Sequence, residues 1–140
     1  MAPPVVVPDA SVLLKWVLAS EDEEDRDRAL ELRERWLSGE CTVVVPSLWL
    51  FEVGNIVGTK QPDLASELMK ILIDYRFEEE AASGFCLKAL ELMRRFKVTF
   101  CDASYHAVAL IRGGVFVTAD TNYCRKTSAA GHSIRLADWS

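Results

Sequence analysis

Val5-Val6-Val7-Pro8-Asp9-Ala10-Ser11-Val12-Leu13-Leu14 is the stretch on which the fold turns. Three valines make a β-branched run of strand length, and helical three-and-four spacing takes over at 12–18. Working outward, apolar runs of strand length recur at 42–45, 75–77, 115–118 and 133–136. Between them lie helical patterns at 28–37, 47–57, 64–72, 81–96 and 102–111. Strands alternating with helices predict an α/β domain with a central, mainly parallel sheet. The breaks at Ser38-Gly39, 58–62, Gly113-Gly114 and Gly131 are too short for linkers, so residues 1–140 read as a single domain. A chain of 140 residues can bury a core of its own.

The first run ends on an acid, and that repeats. Asp9 closes the first apolar run, Asp120 ends Val115-Phe116-Val117-Thr118-Ala119, Glu52 interrupts Leu48-Trp49-Leu50-Phe51, and Asp102 follows Phe100-Cys101. Ionised carboxylates beside buried segments are costly unless paired. The sequence offers no matching set of four buried bases, so a divalent cation is the economical partner. Carboxylates gathered together repel and raise one another's proton affinity unless a cation sits among them. Magnesium accepts oxygen ligands and keeps several waters, so a few carboxylates suffice, and it acidifies water for attack on phosphorus.

Each acid also has a structural reading. Asp9 would cap the helix beginning near Ser11, and Ser11 itself is either a cap or a hydroxyl near the metal. Asp120 could form a turn with Thr118 and Asn122, and Asn122 reads as the cap of a helix running through Cys124 to Ala130. Glu52 and Asn55 share a helix face that could be a solvated stripe. His106 lies four residues after Asp102 on the same face, where a lone histidine is more often a hydrogen-bonded core residue.

The bulk properties set the outer limits. With 50% hydrophobic and 26% charged residues the composition is that of a globular protein, and no apolar run is long enough for a membrane span. Met1-Ala2-Pro3-Pro4 lacks the regions of a signal peptide, so a cytoplasmic location is expected. Cys41, Cys86, Cys101 and Cys124 lack metal-site spacing and read as reduced packing residues. A net charge of −5 excludes broad electrostatic capture of nucleic acid. The acidic run 21–25 reads as a solvated helix start, and Trp16, Trp36, Trp49 and Trp139 read as core or interface aromatics.

Four segments in order carry a resemblance. Asp9-Ala10-Ser11-Val12-Leu13-Leu14-Lys15-Trp16, Phe51-Glu52-Val53-Gly54-Asn55, Phe100-Cys101-Asp102-Ala103-Ser104-Tyr105-His106-Ala107 and Val117-Thr118-Ala119-Asp120 look like the successive motifs of PIN-domain ribonucleases, most similar to VapC-type toxins of type II toxin-antitoxin pairs. The resemblance implies a three-layer α/β/α PIN-like fold and endonucleolytic cleavage of RNA. It also implies a magnesium or manganese site at Asp9, Glu52, Asp102 and Asp120, supported by residues such as Ser11 and Thr118. A homodimer and a small antitoxin that blocks the site and binds operator DNA are further implications. Asn122 stands where some relatives carry an acid, which leaves open whether one metal ion or two are held.

Basic residues in reach of these motifs, as candidates for RNA contact, are Lys15, Arg112, Arg125 and Lys126. Arg94-Arg95-Lys97 reads instead as a complement to a helix C-terminus. Other classes fit less well. An aspartyl-phosphate phosphatase wants a second acid where Ser11 stands, and no G-x-G-x-x-G follows any strand. The remaining alternatives are a PIN-like RNA- or protein-binding module with little catalysis, and an RNA-processing nuclease that is not a toxin.

Overall fold

β1 (Val5–Pro8) lies at the centre of a five-stranded sheet in which every neighbouring pair is parallel. The computed structural model describes residues 2–18 and 24–140. The strand order is β3-β2-β1-β4-β5, with β2 at Thr42–Pro46, β3 at Glu78–Glu80, β4 at Val115–Thr118 and β5 at Ser133–Arg135. Parallel strands need helical crossovers, and the chain supplies α1 (Ala10–Val17), α2 (Arg26–Leu37), α3 (Trp49–Lys60), α4 (Ala65–Asp74), α5 (Ala82–Phe96), α6 (Phe100–Arg112) and α7 (Thr121–Lys126). These flank the sheet, giving the expected α/β/α architecture with an entirely parallel sheet. The inner strands read as unbroken buried runs because helices cover both faces: Val6, Val7, Val43, Val44, Val45, Phe116 and Val117 are all buried.

Most of the expected elements form, with informative shifts. The run at 75–77 is not a strand: Tyr75 caps α4, Arg76 takes a left-handed turn (φ 53°), and pairing begins only at Glu78. Tyr75 and Phe77 are aromatic for packing, since their rings meet Trp16 and Trp36. The strand itself is Glu78-Glu79-Glu80, an edge with little intrinsic strand signal. The helix expected through Ala130 ends at Lys126, followed by a 3-10 turn at Ser128–Ala130. Its cap is Asp120, not Asn122, which lies inside α7. Residues 21–23 of the acidic run lie outside the described residues, and its last member, Asp25, precedes α2.

α6 crosses the sheet behind the central strands and is buried from Ala103 to Ala109. It stops at Gly113, which takes the left-handed conformation (φ 67°) that ends helices cheaply. Gly114 then starts the run into β4 pressed against β1: a Cβ there would stand 2.4 Å from the Val5 carbonyl oxygen. Only glycine lets the two strands meet, and through them β4 is held in register with Pro8 opposite Val117. Among the described residues no helix is long and apolar enough to cross a membrane.

Candidate active site

The register of β1 and β4 puts Asp9 beside Thr118. Asp9 N–H donates to the Val117 carbonyl (3.2 Å), and its carboxylate accepts from Thr118 Oγ1 (2.6 Å) and Ser11 Oγ (2.5 Å). Both hydroxyls also reach the far strand's exit. Thr118 Oγ1 accepts from Asp120 N–H (3.0 Å), and Ser11 Oγ accepts from Ala119 N–H (3.1 Å). Two hydroxyls therefore tie the ends of β1 and β4 together and fix Asp9 and Asp120 on one edge. The connections leave β1 toward β2 on one side and reach β4 on the other, so this edge is a topological switch point, where open α/β sheets bind ligands.

Structural and functional readings of these aspartates turn out not to compete. Asp9 caps α1 by accepting from Val12 N–H (3.3 Å), and Asp120 caps α7 by accepting from Tyr123 N–H (3.1 Å). Capping holds each carboxylate in place at the rim. Ser11 is not the cap.

Glu52 and Asp102 arrive from two helices. α6 runs antiparallel to the strands, so its first turn ends up at their carboxyl edge, and Thr99 caps it by accepting from Asp102 N–H (3.2 Å). One turn on, buried Tyr105 donates its hydroxyl to Glu52 Oε1 (2.9 Å), tying α3 to α6. Cys101, one residue before Asp102, is close enough for its thiol to favour the ionised form of Glu52. Thr99, Cys101 and Tyr105 were not singled out from sequence. Thr99-Phe100-Cys101-Asp102 carries the Ser/Thr-x-x-acid pattern of a helix start, which could have revealed Thr99; nothing local signals that Tyr105 meets a residue 53 positions away.

Three of the four carboxyls hold their protons more tightly than usual. Burial pushes the Asp9 carboxyl up to about 6, against the hydrogen bonds from Ser11 and Thr118, and the Asp102 charge pushes it the same way. Burial also raises Glu52, with Asp102 again contributing, and raises Asp102, with Asp120 contributing. Asp102 is thus the hub of a repulsive group. Among the described residues no three His, Cys, Asp or Glu side chains converge closely enough to form a closed metal chelate. The donor set nonetheless fits magnesium: all hard oxygens, mutually repelling, and an ion that keeps waters needs only one or two of them directly. A closed cage of the zinc type is neither built nor needed.

Other candidates distribute unevenly. Asn55 is exposed on α3. His106 is a core residue: Nε2 donates to the Gly131 carbonyl (2.7 Å), which leaves Nδ1 to accept from Tyr123 Oη (2.8 Å). Burial pushes its pKa down, so it stays neutral. Arg112 is at the opposite end of α6 from Asp102, about 15 Å away at the helical rise, where it pairs with Glu78 (2.6 Å) and Glu80 (3.2 Å). It is therefore not on the rim. Lys15 is only 7% exposed, which leaves it little surface to offer a substrate. Asn122 and Lys126, with Lys97, do line the depression that holds Asp102 and Asp120.

The family model for the PIN domain matches residues 6–128. The chain belongs to the PIN domain family. This PIN domain superposes on a protein of Pyrobaculum aerophilum with a TM-score of 0.67 at 22% identity, covering 98% of this chain and 92% of the other. It is also similar to VapC20 of Mycobacterium tuberculosis, a sarcin-ricin loop cleaving toxin (TM-score 0.65, 19% identity, 91% and 95% covered). A third similar structure is VapBC2 of Rickettsia felis bound to a DNA fragment from its promoter (TM-score 0.67, 16% identity, 97% and 99% covered). No curated protein sequence gives a significant match. At these identities the likeness is one of fold, and all four acids of this PIN domain lie within the matched segment.

Proposed function

We propose that this PIN domain is a divalent-metal-dependent endoribonuclease, acting as the toxin of a toxin-antitoxin pair in the cytoplasm. The observation that carries the reading is the repulsive group of Asp9, Glu52, Asp102 and Asp120 at the sheet's switch point, held together against its own charge. A fold that gathers acids at a cost in proton affinity is built for a cation. The toxin role rests on likeness to VapC20 and VapBC2. It brings with it a small antitoxin as partner and a homodimer as the working form.

Asp9, Glu52, Asp102 and Asp120 would hold magnesium, or manganese, one or two of them directly and the others through its waters, with Glu52 positioned by Tyr105. When bound, the ion supplies an acidified water as nucleophile and positive charge for the leaving oxygen. The chain's own part is orientation. Ser11 and Thr118 hold Asp9 from both sides and leave it little freedom to swing. Tyr105, far above its usual pKa because of burial and the Glu52 charge, remains a phenol and keeps donating to Glu52. No side chain needs to act as a covalent nucleophile.

The test is cleavage of structured RNA by the purified protein. Product should form with magnesium, vanish with chelator, and fall roughly a thousandfold in Asp102→Asn, consistent with weakening the hold on the ion that stabilises transition-state charge. Cleavage that survives both chelator and Asp102→Asn would sink the metal mechanism, and no cleavage of any RNA by the wild type would leave a binding module.

A further inference from the structure

One wall of the depression holding Asp102 and Asp120, about 330 Å³ in volume, carries Lys97 and Lys126. Asn122 and Lys126 also border a second depression of about 520 Å³, completed by Arg125. The two hollows share a wall, so they form one course that leaves the acids along α7. Asn122, Arg125 and Lys126 are spaced i, i+3 and i+4, which puts them on one helix face, and all three are exposed.

These cations are not engaged elsewhere. Lys97, Arg125 and Lys126 form no ion pair among the described residues, whereas Arg35, Lys88, Arg112 and Arg135 each meet a carboxylate. Lys126 Nζ spends one of its three hydrogens on the Lys97 carbonyl (3.2 Å), which steadies it at the mouth of the site. Arg125 lies along the helix against Asn122. The next depression beyond Arg125 contains Arg135, but Asp138 grips that guanidinium through two bonds (2.8 and 3.1 Å) and ends the course there. In a chain of net charge −5, three unneutralised cations beside an acidic centre make a local attraction for a polyanion.

From this we infer that the RNA strand runs out of the active site along α7, with the phosphate next to the scissile one held by Lys97 and Lys126 and the following one by Arg125. The inference deepens the ribonuclease reading and rests on it. Contacts of this kind go to the backbone, so they set register and affinity and carry no base preference. A substrate too short to reach Arg125 is therefore bound weakly and cut without loss of kcat.

The experiment reads binding apart from cleavage. Affinity for a short single-stranded oligouridylate is measured over a range of salt, in the Asp102→Asn background with magnesium present. Lys126→Glu and Arg125→Glu should each weaken binding roughly tenfold and lower the salt slope by about 0.7, the value for one single-strand phosphate contact. Lys126→Arg should restore affinity, and Lys60→Glu at the far end of α3 should leave it unchanged. Thermal melting of each variant shows whether it is folded. Binding that ignores both α7 reversals, or that falls as much with Lys60→Glu, overturns the track. The ribonuclease reading fails separately, through the metal dependence of the wild type.

Discussion

Two clusters in this molecule pack side chains from distant segments, and they are built on opposite terms. On the β3 side of the sheet, Phe77 meets Trp16, Trp36, Trp49 and Tyr75 at ring separations of 5.0–6.0 Å. Two of their indole nitrogens are satisfied as well: Trp16 Nε1 donates to the Ala29 carbonyl (2.8 Å) and Trp49 Nε1 to Glu79 (2.7 Å). Every contact there favours the fold. At the carboxyl edge of the sheet four acids lie near one another, and burial, with a smaller push from neighbouring charge, raises the proton affinity of Asp9, Glu52 and Asp102. The first cluster pulls the fold shut and the second is held in place by it. Along α1 the two are separated, with Asp9 capping its start and Trp16 near its end, whereas on α3 Trp49 and Glu52 share the first turn.

The largest effect separating them comes from the aromatic side. Phe77→Ala should cost about 3–5 kcal/mol in denaturant unfolding, the range for emptying a buried aromatic site. Its metal-dependent kcat per folded molecule should stay at the wild-type value; a large drop in kcat would mean the two clusters are coupled.

The acidic side should show the opposite sign. Asp9 has a raised pKa in the fold, so the folded state binds its proton more tightly than the unfolded chain does. Its contribution is fully present below about pH 4 and is lost as pH rises through about 6, on the order of 3 kcal/mol for the metal-free protein. Magnesium, which needs the ionised acids, should recover stability above pH 6 and do little at pH 5. Asp102→Asn should stabilise the metal-free protein at neutral pH, since burial and the Asp120 charge together disfavour its ionised form more than the Thr99 hydrogen bond favours it. It should also flatten the magnesium response. Melting curves across pH, with and without metal, check all of this, and a destabilised Asp102→Asn would refute the idea of a strained acidic group.

Tyr105→Phe gives the smallest change. It removes only the bond to Glu52, and should lower kcat about tenfold with KM unchanged, the worth of one hydrogen bond to a charged group. An equal rise in KM would place Glu52 in substrate binding instead.

These two regions also differ in how far the sequence discloses them. Asp9 and Asp120 were legible because each ends an apolar run, and strand ends are where open sheets put ligands. Glu52 and Asp102 were legible because they interrupt apolar surroundings. Ser11 and Thr118 entered as supports only through the family resemblance, and Tyr105 was not legible at all, because it meets Glu52 only through long-range packing. The aromatic cluster misled more directly: Tyr75 and Phe77 have the composition of a strand, and the chain uses them as packing while pairing the glutamates beyond. Arg112 follows the Asp102 motif in sequence and sits at the remote end of α6, because a helix carries position along its axis that proximity in sequence conceals.

Those glutamates have one more consequence. An open parallel sheet presents, along its last strand, a row of backbone groups that any passing strand could adopt. Glu78 and Glu79 stand exposed along that row, with Arg112 laid over Glu78 and Glu80 from α6. A second copy stacking in register would have to set carboxylates against carboxylates, so a strand that looks too polar to belong in a sheet disfavours edge-to-edge pairing on that side.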